Sequence, residues 1–408
     1  MREPHTLLRL PSPCYVLEEE RLDLNLSLLD SIQARSGAKI LLALKGYAFW
    51  RRFQNLRRVL AGSTASGLYE AQLGYEEIGG REDGKKVCVY SPAFKADEMQ
   101  AITRYATHII FNSFAQWQSF KPLIESQNAK LAARGDSPIE VGLRLNPLYS
   151  EVEPAIYNPC VARSRLGITP SAMKEGAARY GLKGISGLHF HTHCEQDSHA
   201  LARTLPHFER HFGEWISAMK WINFGGGHHI TRADYDSDAL VNLIAGFKAR
   251  YGGIEVFLEP GEAVGWQVGF LLGEVVDIVE NEGAVAILDV SASCHMPDCL
   301  EMPYRPALSK LSRHNPQNLE PDLGENVGAY RYRLGGPTCL AGDVIGDYSF
   351  HTPLRIGDRV IFEDMLHYTI VKNTTFNGVP LPSLASIDAQ GRAEILKSFD
   401  YNDYKQRN

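Results

Sequence analysis

The chain has 408 residues, 44% of them hydrophobic and 22% charged, with a formal net charge of -6 at pH 7. That length suits two domains, or one large barrel with an appendage, and the acidic balance argues against nucleic acid as the main partner and suits a cationic ligand. No apolar run approaches the ~20 residues of a membrane span, the opening MREPHTLLRL is too short and too polar for a secretory signal, and seven cysteines without paired spacing point to free thiols in a reducing cytosol.

In chain order, PCYVLEEERL near the start reads as a strand able to return to a later sheet. From residue 39, short apolar runs alternate with longer amphipathic stretches. The runs are KILLALK (39–45), GSTAS (62–66), VCVYSP (87–92), HIIFN (108–112), IEVGLRLN (139–146), GISGLHFHT (184–192), WINFGGG (221–227) and IEVFLEPGEA (254–263). Segments between them, such as ADEMQAITRYA and SDALVNLIAGFKARY, repeat apolar residues at three-to-four spacing, as a helix does. Strand then helix, eight times over, predicts a parallel (β/α)8 barrel of the TIM type. After residue 265 the texture changes: FLLGEVVDIVE, AVAILDVSA, YRYRLGGPTC, DRVIFEDM and YTIVKNTTFNGV predict an antiparallel β domain, and residues 309–330 read as a long exposed loop. The expected division is a segment 1–20 joining the β domain, a barrel over 21–266, and the β domain over 267–408.

Functional groups of such barrels gather where the strands end. Lys45 closes the first barrel strand. A lysine there often snorkels to solvent, but one at the end of ILLAL, buried on both faces, also suits a desolvated amine able to form a Schiff base. His189, His191 and His193 follow the sixth strand at period two, which sets all three on one side of an extended segment. They fit a polar layer, a face for stacking on an aromatic ring, or a zinc site in a barrel hydrolase. Gly225, Gly226 and Gly227 follow the seventh strand and suit either a tight turn or a backbone cradle for an anion. Glu259 and Glu262 follow the eighth. In the β domain, Pro337 and two glycines shape a loop presenting Cys339 and Asp343, and CHMPDC (294–299) matches no strong metal-ligand spacing.

A strand-ending lysine, GLHFHTH, FGGG, EPGE, GGPTC and a late MLHYT together resemble the fold-type III pyridoxal-phosphate (PLP) decarboxylases, an alanine racemase-like barrel family that includes the ornithine, arginine and diaminopimelate enzymes. ILLALKGYAFW, LRLNPLYSEVEPAIYNPC, NFGGGHHITRADYD, CHMPDCLEMPYRP, RLGGPTCLAGDVIGDY and KNTTFNGVPLPS are similar to its carboxynorspermidine/carboxyspermidine decarboxylase branch, over nearly the whole chain. The resemblance implies that Lys45 carries the cofactor, His191 stacks on its ring and Glu259 pairs with its pyridine nitrogen. Gly225, Gly226 and Gly227, with Tyr368, would bind the phosphate. Cys339 would serve catalysis in the site of the other subunit of a cytoplasmic homodimer. Glu262, Asp298 and Asp343 would bind the amines of a carboxylated polyamine, with norspermidine or spermidine as product in polyamine biosynthesis. Two positions depart from the wider family: Glu262 stands where ornithine and diaminopimelate decarboxylases carry arginine, and His193 where relatives often have glycine. The other readings are a diaminopimelate or ornithine decarboxylase, a barrel racemase, a zinc hydrolase using His189 and His191, and a catalytically idle PLP- or polyamine-binding protein.

Overall fold

The computed structural model describes residues 2–408. Contacts divide the chain into a barrel unit, Asn25–Val264, and a sheet unit that combines the chain up to Leu24 with Gly265–Asn408. The first strand, β1 (Cys14–Glu18), belongs to the sheet unit.

The barrel closes through eight parallel strands: β2 (Lys39–Ala43), β3 (Gly62–Ala65), β4 (Lys86–Tyr90), β5 (His108–Phe111), β6 (Glu140–Arg144), β7 (Gly187–His189), β8 (Trp221–Asn223) and β9 (Glu255–Leu258). Pairing of Lys39 with Phe257 and Ile40 with Leu258 joins the last strand to the first. The middles of these strands are mostly apolar and buried because both faces are covered, as in Ile40–Ala43 of β2 and Ile109–Phe111 of β5. β7 and β8 are only three residues long, and Trp221 of β8 dominates the packing around them. Trp221 reaches across its neighbours, so a Cβ added at Gly142 or Gly187 would stand 2.3 or 2.0 Å from its indole. Glycine at those two positions makes the room. His108 lies edge-on to Trp221 and to Phe257, with ring centroids 5.4 Å away in each case. With Leu41, Cys88 and Ile110, these side chains make the barrel interior a packed core rather than a pore.

In the sheet unit, β10 (Gly269–Glu280) is the long organising strand. Its first half pairs with β1 and with β16 (Arg359–Glu363), and its second half with β11 (Ala284–Leu288), the two halves separated by a bulge near Val275. Beyond β16 lie β12 (Leu308–Leu311) and β13 (Leu319–Pro321). Beyond β11 lie β14 (Tyr330–Gly335) and β15 (Val344–Phe350). β17 (Ser383–Ile387) and β18 (Ala393–Lys397) follow β1. The core of this unit is formed by Cys14, Val16, Phe270, Leu272, Ile361 and Ala385, capped by Leu7 and Leu10.

The structure departs from the sequence reading in three places. The sheet is mixed, since β1 runs parallel to β17 and β11 parallel to β14; strands so distant in sequence are not joined by hairpins and are free to align either way. Residues 309–330 are not one loop: Ser309 pairs with Pro321 and Leu311 with Leu319 in the β12–β13 ladder. Residues 368–379 contain no strand. They form two short 3-10 turns, and Tyr368 and Asn377 take positive φ values of 40° and 58° that break an extended run. Among the described residues, no helix is long and apolar enough to cross a membrane.

Candidate active site

The C-terminal ends of the barrel strands bring together Lys45, Arg144, His189, His191, Asn223 and Glu259. The turn carrying Lys45 is seated backbone to backbone on the Glu259–Glu262 loop. Ala43 donates its N–H to Pro260 O at 3.1 Å, and a Cβ on Gly46 would stand 3.0 Å from Gly261 Cα. A side chain after the lysine would press on that loop backbone, which glycine avoids. The Lys45 side chain keeps open surface, yet protein surrounds it densely, which describes a concave mouth. This burial lowers the pKa of the amine, the Arg144 guanidinium lowers it further, and Glu259 opposes both. Arg144 is itself buried, with its guanidinium 4.5 Å above the Tyr90 ring and Nη2 3.4 Å from the His191 carbonyl.

Glu259 is buried and held in place. Asn223 donates Nδ2–H to Oε1 at 2.7 Å, and His189 Nε2 lies 3.4 Å from Oε2. Burial alone would raise the carboxyl pKa; His189 and the Asn223 amide outweigh it and hold the group below its usual range. His189 itself is pushed down by burial, against the pull of Glu259. His191 is lowered strongly by burial, with Lys45 adding. It is therefore neutral, and its Nδ1 accepts the Gly226 N–H at 2.8 Å, so the hydrogen sits on Nε2 and the ring orientation is fixed.

His193 departs from the expected common face. Regular strand ends at His189, and His193 instead packs 4.8 Å from the His228 ring with Nε2 3.3 Å from the Thr204 hydroxyl. Among the described residues, no three His, Cys, Asp or Glu side chains converge as a metal-ligand set. The glycine turn is also narrower as an anion cradle than its sequence implies. The Gly225 N–H donates to Asn223 Oδ1 at 2.8 Å and the Gly226 N–H to His191, which leaves Gly227 as the one glycine of the three whose N–H is not taken by these contacts. The three glycines are required by space: an added Cβ would stand 2.5 Å from Phe190 O, 2.3 Å from Glu259 O and 2.0 Å from His193 O respectively. Glu262 lies against the buried His229, Oε1 to Nε2 3.6 Å.

The remaining candidates lie in the sheet unit. Cys339 is exposed on the loop after β14, its N–H donating to Asn377 Oδ1 at 3.0 Å. Asp343, expected to bind substrate, has another task. Its buried carboxylate accepts from the Ser291 hydroxyl at 2.9 Å on both oxygens, from the Thr338 hydroxyl at 2.7 Å, and from the Ser293 and Thr338 N–H groups. It fastens the Cys339 loop to the segment before Asp298. Asp298 is paired with Lys372, which also contacts Glu301 at 2.7 Å. Tyr368 is half-buried beside that pair. Arg144, Asn223 and His229 belong to no motif that marks them in the sequence. Their signal was positional only: each closes or follows a barrel strand, next to a residue already singled out.

The model of the pyridoxal-dependent decarboxylases with a C-terminal sheet domain matches residues 14–365. The chain belongs to this family. The decarboxylase is 44% identical to the carboxynorspermidine/carboxyspermidine decarboxylase of Campylobacter jejuni over 98% of this chain and 99% of that one. It is also 44% identical to the carboxyaminopropylagmatine decarboxylase of Synechocystis, over 98% of this chain and 96% of that one. Its structure matches that of the C. jejuni carboxynorspermidine decarboxylase complexed with norspermidine, with a TM-score of 0.83 over 98% of this chain and all of the other. Diaminopimelate decarboxylase from Helicobacter pylori shares the fold at 14% identity and a TM-score of 0.76.

The residues present fit a pyridoxal cofactor. A lysine of lowered pKa, a buried ionised carboxylate and an oriented neutral imidazole stand around a turn that only glycine can make.

Proposed function

We propose that this decarboxylase removes CO2 from a carboxylated polyamine, carboxynorspermidine or carboxyspermidine, releasing norspermidine or spermidine. The supporting observation is whole-chain identity of 44% to enzymes of that name, combined with a barrel mouth that sets Lys45 against Glu259, Arg144 and His191. The Synechocystis relative, equally similar, keeps carboxyaminopropylagmatine as a second substrate to test.

Lys45 would hold pyridoxal 5'-phosphate. Its lowered pKa increases the fraction of free amine able to attack an aldehyde carbon. The chemistry supplied by the cofactor when bound is a sink for the electron pair left at the α-carbon as CO2 departs. Glu259 would keep a proton on the pyridine nitrogen, which its ionised, hydrogen-bonded state equips it to do. His191 offers a flat neutral face, and the Gly227 N–H, with Tyr368, would meet the phosphate. Cys339 would deliver the proton to the α-carbon. Its exposed loop suits action in the site of a second copy, in a homodimer. Glu262 and Asp298 add negative charge suited to the amines of the substrate. All seven cysteines are free thiols, in keeping with a reducing cytosol.

Measuring CO2 release from carboxynorspermidine, carboxyspermidine, carboxyaminopropylagmatine, diaminopimelate and ornithine tests the assignment. The carboxynorspermidine and carboxyspermidine values of kcat/KM should exceed those of the last two by at least about tenfold to a hundredfold, the value of one or two charge contacts. Equal kcat/KM on diaminopimelate would return the chain to the general amino-acid decarboxylases.

A further inference from the structure

Tyr368 has φ 40° and ψ -58°, a backbone conformation that a residue with a side chain rarely adopts. Such conformations persist only where the surroundings over-determine them, and they concentrate at functional positions. The chain before Tyr368 is anchored by Asp364, whose carboxylate accepts the Gln267 N–H at 2.6 Å and lies 3.2 Å from His367 Nε2. The chain after it makes one 3-10 turn, Thr369–Val371, and then presents Lys372.

Lys372 is not a free surface lysine. Its ammonium pairs with Asp298 and with Glu301 Oε2 at 2.7 Å, and stands 5.8 Å from the centre of the Tyr368 ring. Asp298 and Glu301 are three residues apart on one short turn, so both carboxylates face the same side. Two charge-assisted contacts on one ammonium restrict it far more than a single exposed ion pair does. Two residues further on, the Thr374 N–H donates to Cys294 O at 2.9 Å, so this stretch is stitched to the Cys294–Glu301 segment at two points. The point nearer Tyr368 is Lys372.

We propose that Lys372 is a positioning residue: by gripping Asp298 and Glu301 it holds Tyr368 in its strained conformation and thereby helps to retain the cofactor. This rests on the reading of Tyr368 as a phosphate contact. It also gives Asp298 a second task, since its charge is already engaged by Lys372.

The test is the loss of visible absorbance when holoenzyme is diluted into cofactor-free buffer. Tyr368→Phe should release pyridoxal 5'-phosphate about tenfold faster than the parent, the value of one hydrogen bond to a charged group. Lys372→Met should do the same, the double variant should be no faster than Tyr368→Phe alone, and Lys372→Arg should behave as the parent. Should Lys372→Met fold poorly, Asp298→Asn with Glu301→Gln removes the same pairs from the other side and should give the same acceleration. Parental release by Tyr368→Phe overturns the phosphate reading of Tyr368. Accelerated release by Tyr368→Phe with parental release by Lys372→Met, or an additive double variant, overturns the positioning role.

Discussion

Lys45 is held at a lowered pKa by the protein around it, with the buried Arg144 charge reinforcing the effect. That gives Arg144 a measurable duty. Arg144→Gln removes the guanidinium, so the amine pKa should rise, and less free amine remains at neutral pH. Reconstitution of apoprotein with pyridoxal 5'-phosphate should then slow severalfold near pH 7 relative to the parent and recover as pH increases. A pH profile unchanged by Arg144→Gln would show that burial alone sets the amine. Lys45→Ala should abolish both the yellow chromophore and turnover, and borohydride should label the parent at this lysine and nowhere else. Glu259→Gln keeps size and the Asn223 contact but removes the charge, so cofactor should still bind while turnover falls by roughly 10²-fold or more, the scale of losing a group that controls a proton. A near-parental rate would mean that another group controls the pyridine nitrogen.

The loop of three glycines shows what an element needs beyond its residues. Gly226 has no positive φ, so Gly226→Ala tests space alone: the new Cβ would stand 2.3 Å from Glu259 O and 3.4 Å from His191 Cε1. The loop must move, and with it both Glu259 and His191. Thermal stability and cofactor retention should fall together, and a variant retaining both would show that the loop has slack. The barrel strands were legible because each is an apolar run ended by a chemically distinct residue; Lys45 and Glu259 stand out for that reason. Arg144 did not, because in IEVGLRLN an arginine ending a strand carries no signal by itself. Its meaning comes from Tyr90 two strands away and from Lys45. His193 lies off the face of His189 because strand alternation stops where the strand does, at His189. YTIVKNTTFNGV has the composition of a strand, but Tyr368 and Asn377 adopt positive φ that composition does not reveal. The parallel pairing of β1 with β17 was illegible for a different reason: nothing local connects strands more than 360 residues apart.

Across the whole molecule, buried histidines tie stability to pH, four of them besides His189 and His191. Burial pushes His108 and His228 down to about 3, and His193 and His295 to about 4. The unfolded chain takes these protons near pH 6.5, so below that pH it binds more protons than the fold does. The contribution is therefore fully present above pH 6.5 and is lost as pH falls toward 3 to 4, by about 1.4 kcal/mol per pH unit for each histidine. The urea midpoint should drop between pH 7 and pH 5, and less so in His108→Phe, whose ring can still pack against Trp221 and Phe257; an equal drop in both would exclude His108. Assembly gives the last prediction. Cys339 is exposed on a loop that the buried Asp343 pins at its base, while Lys45 belongs to the barrel unit. If one chain supplies Lys45 and the other Cys339 to each site, Lys45→Ala and Cys339→Ala homodimers are both impaired, yet a heterodimer has one site with both residues and one with neither. Random exchange makes half the dimers mixed, each with one working site of two, so about a quarter of parental activity should return under two-fold pairing. Subunits labelled to report exchange make the result decisive: exchange with no recovery would mean that each chain completes its own site, and the exposed cysteine loop would then have to serve the barrel of its own chain.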